Sequence, residues 1–530
     1  MADDEGKQHG SQEEEEDDDI GAEEGNGGPA HHPSPPPDEL FDLSTTVDPS
    51  YIISLIRKLL PNDSSNGKRD QISEEPFHRK MGDDHVDKSL VPESGSGFSD
   101  TFDGSPESMD KDIGGNNDES ASERDGKKLR KSSVEEAWEE HGCVLWDLAA
   151  SRTHAELMVE NLILEVLYAN LMVSKSTRVT EICLGIIGNL ACHEAPLRRI
   201  ESTDGLVNAI VGQLFLDDTQ CLSEVCRILT SGLYGAQCTF WAESLQSEDI
   251  LQRLLWITEN TLNTQLIEKS VGLLLAILEG QPSVQHLLIP PLMNLGLANL
   301  LINLFSFEMD KMTERIPERY PVLDIILRAI EALSVIDIYS REICSSKEIF
   351  QLVCDLVKLQ DKAEVSTSCV TAGILVANML SEADNLVSEV SQDFSFLEGV
   401  FSILPFASDD IEVRRALWNV ISRLLVRVNE SEITISCLHR YAMVLVRTSD
   451  IIEDDLLDLQ PDEPNEELES SVSPEKKPTA RFIAIRKVVC VLDKWKVNKE
   501  SIEEESLNGG CSVNEVDVER LLGFCRRYVG

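Results

Sequence analysis

Cys183, Cys192 and His193 stand in the stretch EICLGIIGNLACHEAPLRRI, residues 181–200, and all three are residue types that bind transition metals. Asn189 lies between them, and its amide carries both donors and acceptors, as a group holding the backbone of an extended peptide must. The spacing decides against the metal. Cys192 follows Cys183 by nine positions, which matches no common zinc pattern, and no second cysteine/histidine pair lies near in sequence. Structural cysteine is the expectation, with His193 just past a helix end, where an imidazole caps carbonyls. Asn189 keeps two readings, a groove contact or an interhelical hydrogen bond. Asn378 in ILVANML occupies the same local pattern. In helical grooves that hold extended peptides, a tryptophan often stands four positions before such an asparagine. Here those positions are Gly185 and Ile374.

Catalytic chemistry finds little to work with. The chain has no HExxH, no GxxxxGK[ST] and no GxSxG, and GSGSG-like glycines fall in linker sequence rather than between strand and helix. Half of the ten histidines (His9, His31, His32, His78, His85) lie in a polar N-terminal arm. No nucleophile–base set is apparent, so the chain is expected not to be an enzyme and to need no cofactor.

Three further patterns bear on regulation and contact. KKLRK contributes Lys127, Lys128, Arg130 and Lys131, a compact basic cluster suited to the acidic pockets of nuclear import receptors; the alternative is a chance basic run at a domain boundary. Ser473 in SPEKK precedes proline, with a lysine two residues beyond it, which suits a cyclin-dependent kinase; Ser34 and Ser105 also precede proline. Trp146 in LWDLAAS and Trp418 in RALWNVISRLL are either interface anchors or core residues, and their apolar neighbours favour the core.

The elements that must position these residues follow from composition and period. Across 530 residues the formal net charge is −48, which argues against direct nucleic-acid binding and against an anionic membrane surface. Residues 1–131 hold 33 acids against 14 bases, including the run Glu13–Asp19, and residues 450–480 hold 11 against 2. Such low hydrophobicity with high charge does not offset the entropy of ordering, so 1–131 is expected to be a disordered acidic arm and 451–480 an acidic disordered linker. One short amphipathic helix is expected inside the arm at 48–60, where Ile52, Ile53, Leu55, Ile56, Leu59 and Leu60 form one broad face before Pro61; it would dock on the folded body or bind a partner. Thirteen cysteines without a CxxC, and an acidic start lacking an apolar signal core, indicate a reducing compartment. The apolar stretch 287–305 is expected to be a buried helix preceded by a turn at Pro290–Pro291, because its three asparagines are costly in lipid; the protein is expected to be soluble.

Between 132 and 450 long amphipathic helices dominate, and a repeat emerges. TEICLGIIGNL at Thr180 and SEVCRILTSGL at Ser223 are offset by 43 residues, and EKSVGLLLAIL at Glu268 follows one residue late. Further units begin near 326, 369 and 413, with a charged insertion, EMDKMTERIPERY, before the first of these. Periods in the forties with two or three helices each indicate an all-α, armadillo/HEAT-type, right-handed superhelical solenoid with a concave face. Residues 481–530 are expected to supply two capping helices.

The blocks CVLWDLAAS (Cys143–Ser151) and EICLGIIGNLAC (Glu181–Cys192) resemble those of the serum-amyloid-A-like family of armadillo-type repeat proteins, which is unrelated to the amyloid apolipoprotein; the chain looks like a plant-like or divergent member. The likeness covers about residues 135–260. It implies a nuclear protein, present also in cytoplasm, without enzymatic activity and linked to cell proliferation or cell-cycle progression; it supplies no binding residues. The expected function is therefore a monomeric protein–protein interaction scaffold with protein partners. The alternative is a nuclear transport adaptor or an acidic, histone-chaperone-like binder of basic proteins.

Overall fold

The computed structural model describes residues 47–61, 121–430, 434–458, 479–498 and 513–530. Chain contacts divide it into two units, Met1–Asp48 and Pro49–Gly530, and all that follows concerns the second. The acidic run Glu13–Asp19 and the serines Ser34, Ser105 and Ser473 lie outside the described residues.

The described residues are helical throughout, without a strand. The chain opens with α1 (Pro49–Lys58) and the long α2 (Ala121–Ala149). Three-helix units follow: α3 (Arg152–Glu160), α4 (Ile163–Val173), α5 (Thr177–Ala191); α6 (Glu194–Ser202), α7 (Leu206–Gly212), α8 (Thr219–Tyr234); α9 (Cys238–Leu245), α10 (Glu248–Asn260), α11 (Thr264–Leu278). The pattern continues through α12 (Pro282–Asn294), α13 (Leu297–Lys311), α14 (Tyr320–Ser334) and α15 (Asp337–Cys344), α16 (Lys347–Val357), α17 (Ser366–Glu382). Then come α18 (Asp384–Val390), α19 (Phe394–Ile403), α20 (Ile411–Glu430) and α21 (Ile435–Arg447), α22 (Ser449–Asp458), α23 (Ala480–Val497), closed by α24 (Glu515–Val529).

The third helix of each unit packs on the third helix of the one before. This gives a single row, α2, α5, α8, α11, α14, α17, α20, α23, with the other helices behind it. Three helices per unit, stacked nearest neighbour on nearest neighbour, is the armadillo-type solenoid.

Local sequence sets these helices in register. A short polar connection ends in a capping side chain at the head of the row helices: Ser176 accepts from the Val179 N–H, Asp218 from those of Gln220 and Cys221, Asn263 from Leu266, and Thr479 from Phe482. The buried stripe of α5 contains Ile182, Cys183, Ile186, Ile187 and Leu190, all fully inaccessible. The turn between first and second helices needs left-handed backbone at Gly205 (φ +79°) and Gly296 (φ +96°), and the equivalent place in the first unit, 43 residues before Gly205, is Leu162 at φ +65°.

Four boundaries differ from the sequence reading. Helix α2 starts at Ala121, so the backbone of the arm is helical from there. Helix α22 takes up residues 451–458 of the expected linker because Ile452, Asp455 and Leu456 are buried partners of the core. Helix α23 does more than cap, since it extends the row against α20. Finally, Pro290 and Pro291 lie inside α12, and the break falls at Gly296, where α12 and the following helix bend by 73°. Positive φ at glycine makes that break cheaper than one at the prolines.

The charged insertion near 310 is folded. Glu308, 2% exposed, accepts from Arg319 Nε at 2.8 Å, and the Arg319 guanidinium lies 5.2 Å above the Phe307 ring. By length and composition one described helix, Ala363–Glu382, is apolar enough to cross a membrane; 61% of its apolar window is buried against its neighbours.

Candidate binding face of the helix row

Among the described residues no three histidine, cysteine, aspartate or glutamate side chains gather as a metal site. Cys183 is enclosed near the middle of α5, and Cys192 is exposed at its C-terminal end. Burial pushes the thiols of Cys183, Cys226, Cys354 and Cys525 up to about 12, so none of them is poised as a thiolate nucleophile. His193 caps carbonyls across the row: its Nε2 donates to the Ala149 carbonyl at the end of α2, 3.2 Å away.

What the row builds instead is a polar seam with cross-helix ties at several of its junctions. Asn189 on α5 donates from Nδ2 to the Trp146 carbonyl of α2 at 2.8 Å. Its Oδ1 accepts from Arg227 Nη1 of α8 at 3.0 Å. Arg227 also donates to the Gly185 carbonyl at 3.2 Å and pairs with Glu224 on its own helix. A Cβ at Gly188 would fall 2.3 Å from Arg227 Nη2, so a larger residue there would displace the guanidinium from these bonds. Further along, Arg328 of α14 pairs with Glu279 at the end of α11, 3.2 Å apart. Asn378 of α17 donates to Ser334 Oγ of α14 at 2.9 Å, and Arg423 of α20 donates to the Leu380 carbonyl of α17 at 2.9 Å.

Both asparagines thus face neighbouring helices and are half-buried. The tryptophan absent from position 185 is replaced from the next helix. The Trp146 ring lies on the Gly185 backbone, where a Cβ would come within 2.1 Å of Cε2, so the glycine is a seat for the indole. Trp418 is 2% exposed and belongs to the core, donating from Nε1 to Asp455 Oδ2 at 2.9 Å. Lys127, Lys128, Arg130 and Lys131 fall in the N-terminal part of α2, and their side chains lie outside the described residues.

The solvent side of the seam carries a column of carboxylates that the sequence reading missed. Glu181, Glu224, Glu268 and Asp324 recur four or five residues after the starts of α5, α8, α11 and α14, and all are half-exposed. The first three have a cation on the same helix: Arg178 at 2.7 Å, Arg227 at 2.5 Å and Lys269 at 2.8 Å. Asp324 makes no such close pair among the described residues, although Arg328 stands four residues on, and its Oδ1 is buried with no hydrogen-bond partner. Burial raises the Asp324 carboxyl above its ordinary range, with Arg328 opposing. From α17 onward the column changes character, to Val370 and Arg415 at the equivalent positions. The signal was present in the sequence as one acid per repeat, visible only after helix starts are fixed to a residue.

A stacked row of helices with a half-exposed polar seam is the architecture of a binding scaffold. No family model matches the chain. It is similar to the zebrafish (Danio rerio) protein named saal1, 30% identical over 139 residues, which is 26% of this chain and 29% of that protein. It is similar as well to the human protein SAAL1, 28% identical over 140 residues, 26% of this chain and 30% of that protein. The chain thus matches under a third of the length of these relatives. They are vertebrate proteins and give no support to a plant-like origin. Among solved structures, an engineered protein aligns with TM-score 0.40 and 13% identity over 74% of this chain and 95% of its own. A designed armadillo repeat protein in complex with the peptide (KR)4 aligns with TM-score 0.37 and 15% identity over 45% of this chain and 92% of its own. At such scores the armadillo-type assignment stands on the three-helix register itself.

Proposed function

We propose that the chain is a non-enzymatic protein–protein interaction scaffold of the nucleus, present also in cytoplasm, acting as a monomer in cell proliferation or cell-cycle progression. The observation that supports this most is the uninterrupted helix row, whose outer seam offers carboxylates, amides and half-exposed apolar groups from α5 to α20. Binding is an equilibrium along that face. The likeness to SAAL1 proteins, over about a quarter of the chain (26%), supports the scaffold reading. In this reading Lys127, Lys128, Arg130 and Lys131 direct import, and phosphate on Ser473 adds charge to an acidic segment.

The net charge of −48 favours a second reading, in which the Glu13–Asp19 run binds a basic protein and the solenoid only carries it, as a transport adaptor or histone-chaperone-like protein does. One capture experiment from nuclear extract separates the two. Full-length protein is compared with residues 47–530, a boundary that keeps α1 and the whole of α2, and with a Glu268→Lys, Ile374→Glu version of the full chain. A partner kept by residues 47–530 and lost on the face substitutions supports the scaffold. Capture that follows the first 46 residues alone, and fades steeply with salt, supports the carrier.

A further inference from the structure

The C-terminal ends of α11 and α14 meet the start of α15 around an open cleft of about 630 Å³. Three carboxylates line it, Glu279, Glu331 and Asp337, beside the apolar side chains of Leu278, Val335 and Ile338. Val335 and Ile338 are 58% and 78% exposed, so the cleft has an uncovered apolar rim.

The charges in the cleft are unequal. Arg328 is the cation at its edge and is spent on Glu279, which also accepts from the Tyr234 hydroxyl at 3.5 Å. Glu331 is half-buried. Burial, reinforced by Glu279 and opposed by Arg328, raises its carboxyl above the ordinary range. Two helices end here and one short helix, α15, begins, so the partial negative charge of two sets of last carbonyls outweighs the partial positive charge of one N-terminus, where Asp337 itself sits. An anion is therefore repelled. A bare metal ion is a poor fit, because among the described residues no three such side chains come close enough together to ligate one. A cation with an aliphatic stem suits both the acid floor and the apolar rim, and lysine and arginine are the side chains built that way.

We propose that this cleft is a docking site for a basic segment of a partner protein, with a lysine or arginine head at Glu331 and Asp337 and its stem against Val335 and Ile338. The inference rests on the scaffold reading and locates its charged anchor at the α11–α14–α15 junction. It differs from general attraction to an acidic chain because it requires one place, outside the acidic arm and away from the carboxylate column.

The test titrates the full chain at physiological salt with a fluorescent ten-residue peptide alternating arginine and leucine, one leucine photo-reactive. Glu331→Gln with Asp337→Asn should weaken binding by roughly tenfold, and the crosslink should fall on residues 335–338. Glu331→Gln removes a charge that burial disfavours, so the variant should melt no lower than the parent and its loss of binding is not unfolding. Glu259→Gln, at an exposed carboxylate of α10 behind the row, should change affinity little. Unchanged affinity in the cleft variants, with crosslinks elsewhere on the helix row, overturns the cleft and leaves the scaffold standing. Crosslinks confined to residues 1–46 would overturn both.

Discussion

The two ends of the helix row face the same problem and solve it differently. A stack of repeats leaves an apolar face bare at each end. At the N-terminal end the cover is α1, which buries Ile52, Leu55, Ile56 and Leu59 against α2 and α3. Its last turn is gripped by two donors: Trp138 Nε1 and Asn170 Nδ2 both reach the Leu59 carbonyl, at 3.1 and 2.8 Å. At the C-terminal end the cover is organised by charge. Asp455 of α22, 7% exposed, accepts from Arg414 Nε and Nη2 at 2.9 and 2.7 Å and from Trp418, while Arg481 of α23 stands 3.9 Å away. An apolar cover is attracted to any apolar face of suitable width. A buried carboxylate between two arginines fixes one geometry, because a misplaced partner leaves a desolvated charge.

The sharpest way to break this contrast is Asp455→Ala. It leaves Arg414 and Arg481 charged and buried, with side chains 7% and 9% exposed, and should cost about 3–5 kcal/mol. Chemical denaturation should show the loss, with hydrogen exchange rising first in α22, α23 and α24. A loss below 1 kcal/mol would mean that the end is held by apolar packing after all.

Next in size is Leu55→Ala, at a side chain 1% exposed, which should cost about 2–4 kcal/mol. Because α1 is a separate cover, the effect should appear as faster hydrogen exchange over α1, α2 and α3 while the C-terminal end keeps its protection. Uniform loss along the row would make the two ends one cooperative unit and dissolve the comparison.

The smallest effect sharpens it by contrasting a paired carboxylate with an unpaired one. Asp324 lacks the arginines that Asp455 has, and its carboxyl titrates above the ordinary range because of burial. The folded chain therefore holds that proton more tightly than the unfolded chain. Ionised Asp324 destabilises above its raised pKa, and the penalty vanishes as pH falls through it. Asp324→Asn should melt higher than the parent at pH 7, with the difference closing as pH is lowered through that raised pKa. A difference independent of pH would locate the effect in packing.

Much of this was legible without coordinates. The stripe Ile182, Ile186, Ile187 and Leu190 and the offset of 43 residues between Thr180 and Ser223 are the third-helix register of the solenoid. The stripe follows from the 3.6-residue period of any helix, and the offset is the length of one three-helix unit with its connections. The place of His193 just past the end of α5 likewise indicates a carbonyl cap, and its Nε2 donates to the Ala149 carbonyl. The sequence aligns Glu181 with Glu224, but a slip of one residue at Glu268 and the longer gap before Asp324 hide the rest of the column in so acidic a chain.

By itself, then, the sequence determined the helices, their caps and the stacking period, since each depends on residues within a turn or two of one another. Tertiary structure alone decided which helix covers which end. It also seated the Trp146 indole on Gly185, joined Arg227 to Asn189 and enclosed Asp455 between arginines 41 residues before it and 26 after. Those pairings depend on how successive units rotate against each other. That rotation is set by the summed packing of whole helix faces, which no short window of sequence contains.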